Sequence, residues 1–214
     1  MKAVIFDMDG VIFDSERAVY ALWCEMAEKY GFKNVDTPYY KSIGTNKDAT
    51  RKIFLDFYGE DFPYDDYKKE KSENYHKKYD GGRLPLKAGV FELLEYLKAG
   101  GYFTAVASST RSAVVQSQIE AAGLAKYFDR IIGGDMVEKS KPEPDIFLKA
   151  AEGLAFESVY VIEDSYNGIR AAKAAGFFPV MVPDMLPPDD EMREKATAIL
   201  PDLLAVLDYL EGAI

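Results

Sequence analysis

Two aspartates stand two residues apart at the end of a short apolar run, in Asp7-Met8-Asp9-Gly10. Such a pair can divide labour. One carboxylate serves as nucleophile or metal ligand, while the other, its pKa raised by its neighbour, exchanges a proton with a leaving oxygen. Gly10 frees the backbone to turn directly after them. Ordinary turn chemistry at a strand end uses the same residue types. A calcium loop does not fit, because the third acidic position before the glycine and the distal glutamate are missing.

Three further groups lie beyond the ends of apolar runs. Ser108 and Ser109 follow Val106-Ala107 and precede a helical stretch starting near Ser112. Hydroxyls and free N–H groups there can hold a phosphate or another anion, and a turn or N-cap serine is the alternative use. Lys141 occurs in Ser140-Lys141-Pro142-Glu143-Pro144-Asp145, a rigid segment that presents a fixed charge at the sheet edge, suited to a phosphoryl oxygen. Glu163 and Asp164 end the run from Val159 to Ile162. Two carboxylates closing a buried strand serve stability poorly unless a cation gathers them. Hard oxygen ligands in partial number suit Mg²⁺, which keeps water and substrate phosphate in its other positions.

These groups need a scaffold that brings strand ends together. Apolar runs of strand length recur at Ala3 to Phe6, Phe103 to Ala107, Arg130 to Ile132, Val159 to Ile162 and Pro179 to Val182. Helical patterns follow the later ones and stop at glycines 123, 153 and 176; another, Val90 to Ala99, stops at Gly100-Gly101. Short, almost continuous apolar runs alternating with helices predict an α/β fold, a doubly wound parallel sheet covered on both faces. In such sheets functional residues lie beyond the carboxyl ends of the strands. The first run breaks the alternation. Between Asp14 and Pro85 the pattern is helical, with Val19, Leu22, Trp23, Met26, Ala27 and Tyr30 recurring before Gly31, and Ile53, Phe54, Phe57 and Tyr58 before Gly59. The expected organisation is an α/β core of residues 1–14 and 84–214 with an inserted α-helical cap of residues 15–83. The Lys- and Tyr-rich stretch 64–79 reads as a solvated helix.

Composition narrows the chemistry. The chain has 214 residues, 26 Lys+Arg against 36 Asp+Glu and a net charge of -10. A basic footprint for nucleic acid or an anionic membrane is concentrated nowhere, so neither is expected as a partner. One histidine, His76, and one cysteine, Cys24, leave almost no material for histidine zinc clusters or Ser-His and Cys-His nucleophiles. Cys24 is expected buried and reduced, and His76 on a solvated helix face. No apolar run approaches the ~20 residues of a membrane span, and the chain reads as cytoplasmic and, with no oligomer signal, monomeric.

Taken together, Asp7-Met8-Asp9-Gly10-Val11, Ser108, Lys141-Pro142 and Glu163-Asp164-Ser165-Tyr166-Asn167-Gly168-Ile169 resemble, in order and spacing, the four motifs of the haloacid dehalogenase-like (HAD) hydrolase superfamily. The helical insertion is similar to the cap of its beta-phosphoglucomutase and phosphosugar phosphatase branch. The resemblance implies a Rossmann-like core and a Mg²⁺-dependent phosphatase acting on a small phosphorylated metabolite, a sugar phosphate above all. It implies that Asp7 attacks phosphorus to form an aspartyl phosphate, and that Asp9 protonates the leaving oxygen and then activates water. Ser108 and Lys141 would hold the phosphoryl oxygens, with Ser109 also on the substrate. Asp7, the Asp9 backbone carbonyl and Asp164 would bind Mg²⁺, with Glu163 directly or through water. Asp9 favours phosphate esters over halides, since a leaving halide needs no proton. Mutases of this branch carry a histidine on the first cap helix, where this chain has Val19; this favours a phosphatase over a sugar-phosphate mutase. Cap specificity is expected from Gly44-Thr45-Asn46-Lys47-Asp48, with Gly44 and Lys47 on the substrate, and from Asp14, Ser15 and Glu16 at the hinge. The same segments also read as helix starts, with Asn46 and Ser15 as N-caps.

Overall fold

The computed structural model describes residues 2–43, 45, 47–153 and 155–212. Six parallel strands form one sheet: β1 (Lys2–Phe6), β2 (Phe103–Ser108), β3 (Arg130–Gly133), β4 (Ser158–Glu163), β5 (Phe178–Met181) and β6 (Ala198–Ile199), in the order β3-β2-β1-β4-β5-β6. The chain winds outward from β1 in both directions, so the crevice between β1 and β4 is the topological switch point. Alternation along each strand divides the core into two layers. Val4 and Phe6 join Val106 and Ile162 beneath α5 (Val90–Ala99), α6 (Ser112–Ala121) and α10 (Leu203–Gly212). Ala3 and Ile5 join Ala105, Ala107 and Val161 against α7 (Asp145–Ala150) and α8 (Tyr166–Ala174). Both faces are apolar because both are covered, which is why the strands read as continuous apolar runs.

Between β1 and α5 the described residues form α1 (Ser15–Tyr30), α2 (Asp36–Ser42), α3 (Lys47–Tyr58) and α4 (Tyr64–Tyr79). These helices have a hydrophobic centre of their own, made of Trp23, Ala27, Val35, Tyr39, Phe54, Leu55 and Tyr64. The Trp23 and Phe54 rings lie 4.7 Å apart and Trp23 stacks on Tyr64 at 5.9 Å; such pairs add ~0.5–1.5 kcal/mol beyond area burial. The two connections to the sheet run side by side: Asp14 N–H donates to Pro85 O at 2.8 Å and Lys87 N–H to Ile12 O at 2.9 Å. A buried carboxylate, Asp184, ties them to the loop after β5, accepting from Lys87 Nζ at 2.7 Å and from Arg17 Nε at 3.2 Å.

The structure departs from the sequence expectations in several places. Helix α2, helix α9 (Asp190–Lys195), helix α10 and strand β6 were not among the expected elements, although Leu203, Val206 and Leu210 give α10 a helical period. Pro38 lies in the first turn of α2, where its missing N–H costs nothing, yet in sequence it reads as a breaker. Helix α4 is not a solvated helix throughout. Tyr64 is buried, Tyr67 packs on the cap centre, and Tyr75 and Tyr79 pack on the sheet's core. Tyrosine rings bury apolar bodies while their hydroxyls stay near water, so this face did not register as apolar. Cys24 is half-buried and free at the edge of the cap centre, and His76 is exposed, 3.1 Å from Asp80. No described helix is long and apolar enough to cross a membrane.

Candidate active site

Adjacent strands β1, β2 and β4 bring their carboxyl ends to one point. Asp7 follows β1 directly, its N–H still donating to Ile162 O at 2.9 Å, and its carboxylate is buried. Lys141 reaches this point from the loop before α7, with its side chain only 6% exposed. Its Nζ donates to Asp7 Oδ1 at 2.5 Å, Glu163 Oε1 at 2.6 Å and Ala107 O at 3.2 Å. All three protons of the ammonium are thereby directed, and the charge has one orientation.

Glu163 is fully buried and both its oxygens are engaged. Oε1 accepts from Lys141, and Oε2 accepts from the N–H and the hydroxyl of Ser165, each at 2.9 Å. The Ser165 hydroxyl also caps α8, accepting from Gly168 N–H at 3.0 Å. A Cβ on Gly168 would come within 1.8 Å of the Glu163 carboxyl carbon, so glycine is required for the helix to lie against it. Gly10 has φ +79°, and a Cβ there would meet Asp164 Oδ2 at 2.3 Å. The loop after β1 and the Asp164 carboxylate are therefore in close approach.

The charges do not balance. Asp7, Glu163 and Asp164 face a single ammonium. Burial, only partly offset by Lys141 and reinforced by Glu163 and Asp9, pushes the Asp7 carboxyl up to about 8. Burial and the negative charges of Glu163 and Asp7 raise Asp164 well above the carboxylate range. Burial disfavours the charge on Lys141, but Asp7 and Glu163 outweigh it and hold the ammonium above the usual lysine range. An excess of hard, partly desolvated oxygens is the donor chemistry that a small divalent cation satisfies. No cluster of three or more His, Cys, Asp or Glu side chains is preassembled for a metal among the described residues; two carboxylates and a backbone carbonyl do not require one.

From Lys141 and Asp164 a cavity of about 520 Å³ opens between the sheet and the inserted helices. Its sheet side carries Ser109, Asn167 and Arg170; Glu16, Ile43 and Thr45 come from the insertion, and Met185 and Leu186 from the loop after β5. Arg170 is occupied, donating to both oxygens of Glu191 at 2.7 and 2.5 Å and to Asn167 Oδ1 at 2.9 Å. Glu16, Ile43 and Thr45 also line an adjoining pocket of about 240 Å³ within the insertion, together with Lys47, Lys68 and Lys71. None of these three lysines forms an ion pair among the described residues. Burial and the Lys68 charge hold the Lys71 ammonium below its ordinary pKa, with Glu16 opposing.

Comparison with known proteins now bears on the arrangement. A model of the haloacid dehalogenase-like hydrolase family matches residues 4–182. The chain belongs to the haloacid dehalogenase-like hydrolases. It is 34% identical over 178 residues to the phosphorylated carbohydrates phosphatase of Thermotoga maritima, covering 82% of each chain. It is 32% identical over 197 residues to beta-phosphoglucomutase of Bacillus subtilis, covering 85% of this chain and 83% of that one. A solved Thermotoga maritima structure, described provisionally as a beta-phosphoglucomutase, superposes over the whole of both chains with a TM-score of 0.81 and 30% identity.

In this hydrolase the residues singled out by sequence divide into two sets. Asp7, Lys141, Glu163 and Asp164 converge. Asp9 is half-buried beside them, accepting at Oδ2 from Thr110 Oγ1 at 3.2 Å, and the buried Ser108 hydroxyl accepts from Thr110 N–H at 3.1 Å. Ser109 lines the cavity. Lys141 is not at a sheet edge but beneath three central strand ends. Glu163, expected on the metal directly or through water, bonds to Lys141 and Ser165. The cap residues are less well joined. Ser15 is the first residue of α1, not its N-cap, and its buried hydroxyl has no partner among the described residues; it does not line the cavity. Lys47 is exposed and lines only the adjoining pocket, while Gly44 and Asn46 lie outside the described residues. Sequence reading assigned nothing to Asn167, Lys68, Lys71 or Asp184. Only a half-buried lysine among tyrosines distinguished Lys71, and no sequence period shows that.

Proposed function

We propose that this hydrolase is a Mg²⁺-dependent phosphatase that cleaves a small phosphorylated metabolite, a sugar phosphate by preference, through an aspartyl-phosphate intermediate. The observation that carries this reading is the ammonium of Lys141 held 2.5 Å from Asp7 at the switch point of the sheet, with Asp9 and Asp164 beside it. Asp7 Oδ attacks phosphorus as the ester P–O bond breaks, and Asp9 gives its proton to the departing oxygen. Asp9 then takes a proton from the water that displaces the Asp7 oxygen, releasing inorganic phosphate. Lys141 donates to the phosphoryl oxygens. The Ser108 hydroxyl, which accepts from Thr110 N–H, keeps its own proton free to do the same. The Asp7 and Asp164 carboxylates and the Asp9 carbonyl would hold Mg²⁺, which supplies charge neutralisation for the phosphoryl oxygens. Glu163, bonded through Oε1 to Lys141 and through Oε2 to Ser165, holds Lys141 in place.

Release of nitrophenol from nitrophenyl phosphate tests the reading. Asp7→Asn should abolish turnover, Asp9→Asn should reduce it strongly, and a chelator should stop it until Mg²⁺ is restored. Robust turnover by Asp7→Asn, or indifference to chelation, would refute the mechanism.

One observation favours a second reading. The pocket carrying Lys47, Lys68 and Lys71 can accept a second phosphate, as a sugar-phosphate mutase of the beta-phosphoglucomutase type needs. Against it, the position corresponding to the mutase histidine holds Val19, which packs on the cap centre. A phosphosugar panel scored for both phosphate release and isomerisation separates the two; isomerisation without net phosphate release would make the chain a mutase.

A further inference from the structure

Two acid residues of the core site are fixed by other groups, but Asp9 has one hydrogen-bonding partner among its described side-chain contacts, the hydroxyl of Thr110 at 3.2 Å. Thr110 is itself held firmly. Its N–H donates to Ser108 Oγ at 3.1 Å, and its carbonyl accepts from Gly134 N–H at 2.8 Å. The segment after β3 is pressed against this loop. A Cβ on Gly133 would come within 2.2 Å of Ser112 N, and one on Gly134 within 2.4 Å of Ser109 O. Asp135 completes the grip, accepting from the Ser112 N–H at 2.7 Å and from its hydroxyl at 3.0 Å. Two glycines and an aspartate thus fix the backbone that presents one hydroxyl to Asp9.

We propose that Thr110 is a positioning residue for Asp9, holding its carboxyl group in one place through both halves of the reaction; this rests on the acid and base roles given to Asp9 above. A hydroxyl suits the task because it donates to a carboxylate and accepts from a carboxylic acid. Asp9 alternates between those forms, and Thr110 can remain bonded to either by rotating about its own C–O bond. A lysine or a backbone amide can only donate, so neither could accept the proton of the acid form. Thr110 is therefore distinct from Ser108, whose hydroxyl faces the phosphoryl group.

The test uses nitrophenyl phosphate, whose leaving group needs little protonation. The first turnover then reports attack by Asp7, and the steady state reports activation of water by Asp9. Thr110→Val, which keeps the shape and removes the hydroxyl, should leave the first-turnover burst within about twofold of wild type. It should lower the steady-state rate by about tenfold, in the range of a displaced general base. Thr110→Ser should restore the rate to within about twofold. Added to Asp9→Asn, Thr110→Val should cost almost nothing further, because the residues act as one unit. Equal loss of burst and steady state, no rescue by serine, or additive losses in the double variant would each overturn the proposal. If Asp9→Asn alone leaves the steady state unchanged, the role of Asp9 fails instead. Should Thr110→Val fold poorly, the comparison of Thr110→Ser with wild type and with Thr110→Ala decides the matter.

Discussion

Lys141 and Lys71 are both desolvated lysines close to the cleft, one beneath the sheet's strand ends and one on the inserted helix α4. Lys141 has three acceptors within hydrogen-bond distance, two of them carboxylates. Lys71 has no ion pair among the described residues, and its ammonium lies 6.0 Å from the Trp23 ring centre. A buried charge whose partner is removed leaves several kcal/mol uncompensated, so Lys141 is locked by its own surroundings. Lys71 keeps its freedom and its unmet charge. The ammonium in the core pocket is thus met by the protein's own acceptors, whereas the lysines of the insertion's pocket have no ion pair among the described residues. Chemistry that is the same in every turnover needs the first kind of pocket, and discrimination among leaving groups needs the second.

The sharpest way to break this comparison is to remove the locked charge. Lys141→Met should destabilise the fold by about 3–5 kcal/mol, since the fully buried Glu163 carboxylate is left without a counter-charge, and should abolish phosphate release. Urea unfolding measures the first effect. A shift of less than about 1 kcal/mol would mean that water already reaches the site. Glycines give a matched pair for the same question. Gly10 and Gly81 have similar φ, +79° and +73°, but a Cβ meets Asp164 at the first and nothing within 4 Å at the second. Gly81→Ala should cost about 1 kcal/mol of backbone strain and little activity. Gly10→Ala should cost that strain and, by displacing the Asp164 carboxylate, most of the activity.

The contrast also explains what could be read from sequence. Asp7, Ser108 and Asp164 were legible because a parallel sheet forces strand ends together, whereas Lys141 was legible as a fixed charge but not in its place. Once the runs ending at Phe6, Ala107 and Ile162 are recognised as neighbours, their next residues must meet. Glu163 was legible as part of the site, but its bonds to Lys141 and Ser165 were not, since the groups a carboxylate faces depend on which side of the strand it emerges. Ser15 and Lys47 do not line the main cavity, for a related reason. Helices in the insertion pack through aromatic rings at irregular angles, so no period predicts which turn faces the cavity. Asp184 and Thr110 act through contacts 97 and 101 residues away in sequence, and short-range pattern carries no trace of those.

A smaller effect concerns pH. The folded Asp7 carboxyl is raised from an ordinary 3.8 to about 8. Between those values the unfolded chain has released this proton and the folded chain retains it. Stability of the metal-free protein should therefore fall as pH rises from about 4 towards 8, the sign opposite to that of a salt-bridged aspartate. Asp164, raised by the same burial, acts in the same direction. Lys141 stays charged throughout. Thermal melts across this range should show the decline, and Asp7→Asn should flatten it. Added Mg²⁺ should flatten it too, by favouring the ionised carboxylates. A melting temperature that rises with pH in chelator would contradict the charge imbalance described for the core pocket.

The smallest expected effect lies at the other pole of the comparison. Lys71→Met removes a charge that has no ion pair and retains the aliphatic stem lying near Trp23, so stability should change by no more than about 0.5 kcal/mol. It should even rise, because burial and Lys68 already hold the Lys71 ammonium below its ordinary pKa and that cost disappears. The kinetic consequence should be confined to KM. For a phosphosugar carrying a second anionic group, KM should increase several-fold with kcat unchanged, the signature of binding lost equally from ground and transition states. For nitrophenyl phosphate, which does not extend to the insertion's pocket, neither constant should move. A fall in kcat for both substrates would place Lys71 with Lys141 among the fixed charges, and the division between the ammonium met in the core pocket and the unpaired one in the cap pocket would no longer hold.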